Sequence, residues 1–143
     1  VSSLRDANLK MLEKYASEFS ENQWIRCKYV IEEIERVQNA NKDLQKGNLK
    51  AFGKKMFETH RGLSKLYEVS CPELDFFVEI ATQFPGVIGA RMMGGGFGGC
   101  TINIVHKDAV DRFSTAIRDS YKQKFDLEAL IHPVKIEDGV SLM

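Results

Sequence analysis

Apolar residues recur at helical spacing through the first half of the chain and change to strand-like runs beyond it. That change of period predicts the order of the elements. Leu9, Leu12, Ala16 and Phe19 mark a short helix that Asn8 can cap. Ser20 with Gln23 has the form of a capping box. Behind it Cys27, Val30, Ile31, Ile34, Val37 and Leu44 form one stripe of a long helix to about Lys46, with Glu, Arg and Lys opposite and Gly47 as its stop. Asn48 can cap a third helix that carries Leu49, Phe52, Met56, Leu63 and Leu66 on one side, with His60 inside that stripe. Ser70 or Cys71, followed by Pro72 and Glu73, starts a fourth helix faced by Leu74, Phe77, Val78 and Ala81, and Phe84-Pro85-Gly86 ends it.

Val87 to Met93 and Cys100 to Val105 have strand character. In the second run Cys100, Ile102 and Ile104 alternate with Thr101 and Asn103, the pattern of a half-buried antiparallel strand with one face on a helix layer. Asp108 can cap a fifth helix with Val110, Phe113, Ala116, Ile117 and Tyr121 inward and Asp111, Arg112, Arg118 and Lys122 in solvent. Val134 and Ile136 alternate with Lys135 and Glu137 in an expected last strand, Pro133 suits its start or an edge, and Asp138-Gly139 turns the chain after it. Helices packed on a small, mainly antiparallel sheet make an α+β domain, without internal repeats.

The two central strands are joined by the most unusual stretch of the chain. Five of its eleven glycines, Gly94, Gly95, Gly96, Gly98 and Gly99, fall within six positions. Glycine reaches positive φ without a steric penalty, so such a run can turn several backbone N–H groups towards one point and hold an anion. A tight hairpin is the simpler reading, yet a hairpin needs only about two special residues. Phe97, the one large member, could pin the loop while the glycines approach a ligand. The run fits neither a Walker loop nor a strand-to-helix dinucleotide turn, because Cys100 and Thr101 lead into a strand.

Composition narrows the classes. At 143 residues and 43% hydrophobic content the chain can build one core, and residues 1–143 are expected to form one domain. Lys+Arg and Asp+Glu balance at 20 each without a basic block, so neither a nucleic-acid face nor a membrane-surface patch is indicated. Cys27, Cys71 and Cys100 are scattered, no secretory signal is visible, and no apolar run approaches twenty residues, which points to a reducing cytoplasm. Val1 is not an initiator methionine, and the chain is expected to be a fragment.

Catalytic pairs are missing. No G-x-S-x-G elbow, H-E-x-x-H, H-R-D or D-F-G triplet occurs, and Glu32-Glu33 reads as solvated charge. His60 alone on an apolar face reads first as a satisfied core histidine. No catalytic residue and no metal ligand is assigned, and the domain is expected to complete a site whose other parts lie elsewhere.

The stretch from Ala90 to Thr101, Ala-Arg-Met-Met-Gly-Gly-Gly-Phe-Gly-Gly-Cys-Thr, resembles the C-terminal motif of the galactokinase family, within the galactokinase, homoserine, mevalonate and phosphomevalonate (GHMP) kinase superfamily. Phe57 to Asp75, with Glu58-Thr59-His60-Arg61 and Tyr67-Glu68-Val69-Ser70-Cys71-Pro72-Glu73-Leu74-Asp75, and Ser3-Leu4-Arg5-Asp6 resemble two further family segments in the right order. The resemblance covers essentially the whole chain. It implies a ferredoxin-like C-terminal domain packed on an N-terminal half that carries the sugar motif, the main ATP-phosphate loop and the catalytic aspartate, none of which is in this chain. It further implies transfer of the ATP γ-phosphoryl group to galactose with Mg²⁺, both cofactors bound mainly by that other half. Gly94, Gly95, Gly96, Phe97, Gly98 and Gly99 become the phosphate and active-site loop, with Arg91, Met93 and His60 as supporting candidates. Many family members carry Thr where this chain has Met93. Related kinases of N-acetylgalactosamine or arabinose, and non-catalytic galactokinase-like sensors or interaction modules, share the pattern.

Overall fold

The computed structural model describes residues 3–135. Its helices are α1 (Leu9–Lys14), α2 (Glu21–Gln45), α3 (Leu49–Lys65), α4 (Pro72–Gln83) and α5 (Val110–Phe125), with strands β1 (Val87–Met93) and β2 (Cys100–Val105) between the last two. The strands pair antiparallel, Ala90 opposite Asn103, Met92 opposite Thr101 and Met93 opposite Cys100, with a bulge between Val87 and Gly89. The architecture is α+β, helices packed on a small antiparallel sheet that has two strands among the described residues.

Caps set most helix starts. Asn8 Oδ1 accepts from the Met11 N–H and Asn48 Oδ1 from the Ala51 N–H, each at 3.1 Å. The Ser20–Gln23 capping box is complete, and Gly47, at φ +69°, follows the end of α2. Cys71 is the N-cap of α4 without a side-chain bond, ahead of Pro72 in the first turn.

Helix α3 packs along β1, α4 packs on both strands, α2 lies against α3, and α5 packs on α4. Val78, Ala81, Ala90, Phe113 and Ile117 form the central cluster, flanked by Phe77, Phe84, Val87 and Val105. Backbones touch where α3 crosses β1. A Cβ on Gly53 would stand 2.0 Å from the Ile88 carbonyl oxygen, and one on Gly89 2.5 Å from the Gly53 Cα. Two turns further along α3, the same buried face presents His60.

Several expectations change. The first helix is shorter, because Tyr15 closes α1 and Ala16–Glu18 forms a separate 3₁₀ turn. Tyr29 is the buried residue of α2, whereas Val37 and Leu44 are exposed, since α3 covers only part of the apolar stripe. Leu49 and Leu66, at the two ends of α3, are exposed as well. In β2 the alternation faces the other way. Thr101 and Asn103 share the helix-covered face with Met92 and Ala90, and Cys100 and Ile102 lie on the open one. Asp108 does not cap α5; it sits in a 3₁₀ turn, Lys107–Ala109, that leads into the helix without a side-chain cap. Val134 and Lys135 are exposed and not in a strand, and Ile136, Glu137, Asp138 and Gly139 lie outside the described residues. No helix among the described residues is long and apolar enough to cross a membrane.

Candidate functional site

The β1–β2 hairpin carries the glycine loop at its tip, Gly94 to Gly99. Gly94, Gly96, Gly98 and Gly99 all have positive φ, and so does Phe97 at +59°. A Cβ on Gly94, Gly95, Gly98 or Gly99 would meet nothing within 4 Å, so these four positions border open space. Open space and positive φ together leave the backbone of the loop accessible on one side, the conformation a run of glycines permits.

Gly96 differs from its neighbours. Its Cβ would lie 2.0 Å from the Val69 carbonyl oxygen, and that same oxygen accepts the Phe97 N–H at 2.7 Å. The crest of the loop is thus fastened by backbone to the segment between α3 and α4. The expectation that the Phe97 ring pins the loop is corrected: the ring is 77% exposed, and the anchor is the amide.

His60 is buried beneath the strand that enters the loop. Its Nδ1 accepts the Met92 N–H at 3.2 Å, which requires the proton of the neutral ring to sit on Nε2. Nε2 lies 3.2 Å from Asp75 Oδ1 but off the ring N–H axis, so this contact is electrostatic more than a well-aligned hydrogen bond. Burial pushes the His60 pKa down, and the nearby Asp75 carboxylate offsets this only in part. Asp75 accepts Ser70 Oγ–H on Oδ1 at 2.6 Å and Ser64 Oγ–H on Oδ2 at 2.7 Å, with Lys65 Nζ 3.6 Å away. Burial raises its pKa, but the Ser70 and Ser64 hydroxyl bonds, with the charge of Lys65, together hold it below the usual value.

These directions fix the acid response. The folded state keeps His60 neutral, so below the unfolded value of 6.5 the unfolded chain binds the extra proton and stability falls. Asp75, with its depressed pKa, adds a further loss below the unfolded value of 3.8. In His60→Gln the first loss should disappear, flattening stability between about pH 7 and 5, while the unmatched Met92 N–H costs about 1–3 kcal/mol at neutral pH. Urea midpoints at several pH values measure both. An unchanged slope would separate the acid response from His60.

A groove of about 650 Å³ opens beside the loop, lined by Arg5, Tyr29, Glu33, Tyr67, Arg91 and Gly94 among others. Tyr29 Oη–H donates to the Thr59 carbonyl at 3.2 Å, and Thr59 Oγ1–H to Glu33 at 2.6 Å. Burial and the Glu33 carboxylate push the Tyr29 phenol well above its ordinary range, so it stays a neutral donor. Arg91 lies at the groove wall with Nη1 on the Met92 carbonyl at 3.0 Å, and Met93, at the strand's end, is exposed. The structure therefore brings Arg91 and Met93 to the loop and puts His60 behind it. No three His, Cys, Asp or Glu residues converge as a metal site among the described residues.

Sequence reasoning missed Asp75 as the meeting point of His60, Ser64 and Ser70, because a carboxylate in a helix's first turn has an ordinary role there. The Val69 carbonyl left no sequence signal at all.

Residues 40–123 match the family model described as GHMP kinases C terminal. The chain is 44% identical over 119 residues to the galactokinase of Homo sapiens, spanning 83% of this chain and 30% of that protein. It is 42% identical over 141 residues to that of Canis lupus familiaris, spanning 99% and 35%. Among solved structures, Lactococcus lactis galactokinase complexed with galactose superposes with a TM-score of 0.82 at 32% identity, over 90% of this chain and 33% of that one. L. major mevalonate kinase in complex with R-mevalonate superposes with a TM-score of 0.53 at 27% identity, over 80% of this chain and 32% of that one. The chain spans about a third of the length of these relatives.

Proposed function

The chain belongs to the GHMP kinase C-terminal family, and on that premise we propose that it is the C-terminal domain of a galactokinase, residues 1–143 of which complete a site built mainly by the rest of the protein. The full protein transfers the γ-phosphoryl group of ATP to the C1 hydroxyl of galactose, giving galactose 1-phosphate, in the cytoplasm. The observation that carries this reading is the hairpin cradle, open at Gly94, Gly95, Gly98 and Gly99 and rigid at Phe97.

Phosphoryl transfer depends on positioning and on stabilising charge spread over the transferred oxygens. Preoriented N–H groups do this without reorganising at the moment of reaction. The loop amides take the phosphate side in this reading, and Arg91 beside the loop adds positive charge at the groove wall. Mg²⁺, when bound, neutralises phosphate charge; its ligands are assigned to the other half of the protein, as is the base that activates the sugar. The neighbouring structure solved with galactose supports galactose as the sugar.

The chain alone, incubated with ATP, Mg²⁺ and galactose, should form no sugar phosphate, and the full-length protein should form galactose 1-phosphate. Turnover by the chain alone would overturn the domain assignment. Activity of the full-length protein on N-acetylgalactosamine or arabinose in place of galactose would move the substrate. Binding of galactose and ATP without turnover would make the protein a sensor.

A further inference from the structure

We propose that Asp75 is a positioning residue that clamps the glycine loop at two points from a single carboxylate. One arm runs through His60. Asp75 Oδ1 faces His60 Nε2 at 3.2 Å, and His60 Nδ1 holds the Met92 N–H at 3.2 Å, two residues before Gly94. The other arm runs through Ser70, whose hydroxyl donates to Oδ1 at 2.6 Å and whose neighbour Val69 holds the Phe97 N–H at 2.7 Å. Val69 is itself tied back to α3, its N–H donating to the Leu63 carbonyl at 2.9 Å, and Ser64 donates to Asp75 Oδ2 at 2.7 Å. The carboxylate therefore joins α3, α4 and the segment between them, and from that joint the backbone reaches both the entry and the crest of the loop.

The loop needs such a device because it has little packing of its own. Four of its glycines border open space and the Phe97 ring is exposed. A cradle of this kind binds and orients an anion well only if its amides are fixed beforehand. Asp75 stands in the first turn of α4, where a carboxylate ordinarily serves the helix dipole or a cap. Here both of its oxygens are committed away from the helix backbone, to two serine hydroxyls and the imidazole.

The structural half of the proposal is independent of the proposed activity, while its kinetic half rests on the galactokinase reading. Amide hydrogen exchange of the chain, followed residue by residue by NMR, tests the first. In Asp75→Asn, and in Ser70→Ala should the former fold poorly, the Phe97 amide should exchange at least about tenfold faster with the Ile117 amide unchanged, because local opening is selective whereas global destabilisation moves both together. An unchanged Phe97 rate, or equal acceleration at Phe97 and Ile117, would overturn the clamp. In the full-length protein the same variants should lower kcat for galactose by at least about tenfold with the galactose KM little changed, the pattern of a contact realised in the transition state. An unchanged kcat beside faster Phe97 exchange would overturn the link from clamp to reaction. An inactive wild-type protein would sink the galactokinase reading and leave the exchange result standing.

Discussion

Gly95→Val in the full-length protein should fold as the parent does and lose on the order of a hundred-fold in kcat, the loss expected when one preoriented donor is kept from a developing charge. Gly95 suits the test because a Cβ there meets nothing within 4 Å and its φ is not positive, so the substitution brings neither clash nor backbone strain. What it adds is bulk where a phosphate must approach. Gly96, the central glycine of the run, is a poor probe. Its side chain would drive into the Val69 carbonyl, at 2.0 Å, and break the anchor that shapes the loop. Gly96→Val should therefore lose both order and rate, while Gly95→Val loses rate alone. Steady-state kinetics with ATP and galactose, together with thermal melts, separate the two. Near-normal kcat in a well-folded Gly95→Val protein would reduce the glycine run to a hairpin turn.

Gly53→Ala should destabilise the chain by about 2–3 kcal/mol, although glycine-to-alanine changes inside helices ordinarily stabilise by about 1 kcal/mol. The two effects oppose one another, and the contact decides. The new methyl would sit 2.0 Å from the Ile88 carbonyl oxygen and 2.6 Å from its carbon, and a strand backbone cannot turn aside as a flexible side chain can. Either α3 lifts from β1 or the bulge near Gly89 deforms, and in both cases His60 leaves the Met92 N–H. A fall of roughly 6–10 °C in melting temperature is expected, measured by circular dichroism. An equal or higher melting temperature would mean that α3 does not seat on β1 at Gly53.

The elements that were legible in the sequence are those with local causes. Asn8, Ser20 with Gln23, and Asn48 cap helices through bonds within three residues, so their chemistry is complete in the local sequence. The inward face of α5, with Phe113, Ile117 and Tyr121 buried, follows from period alone. The glycine run was visible as a loop between strands for the same reason, and its positive φ values follow from what glycine permits.

Where the reading failed, a partner distant in sequence made the decision. Val37 and Leu44 look like core and are exposed, because a helix buries only what its neighbour covers. Cys100 and Ile102 look inward and lie on the open face, because register with β1 places Thr101 and Asn103 opposite the buried Met92 and Ala90. By itself the sequence determined the succession of helices and strands, the caps, the glycine hairpin and, through its motifs, the family. Only the tertiary structure decided which strand face is covered, that α3 meets β1 backbone to backbone at Gly53, and that Asp75, His60 and Val69 converge on the loop. Those contacts join residues from about 15 to more than 35 positions apart, whose meeting depends on helix crossing and strand register, and neither leaves a periodic trace in the chain.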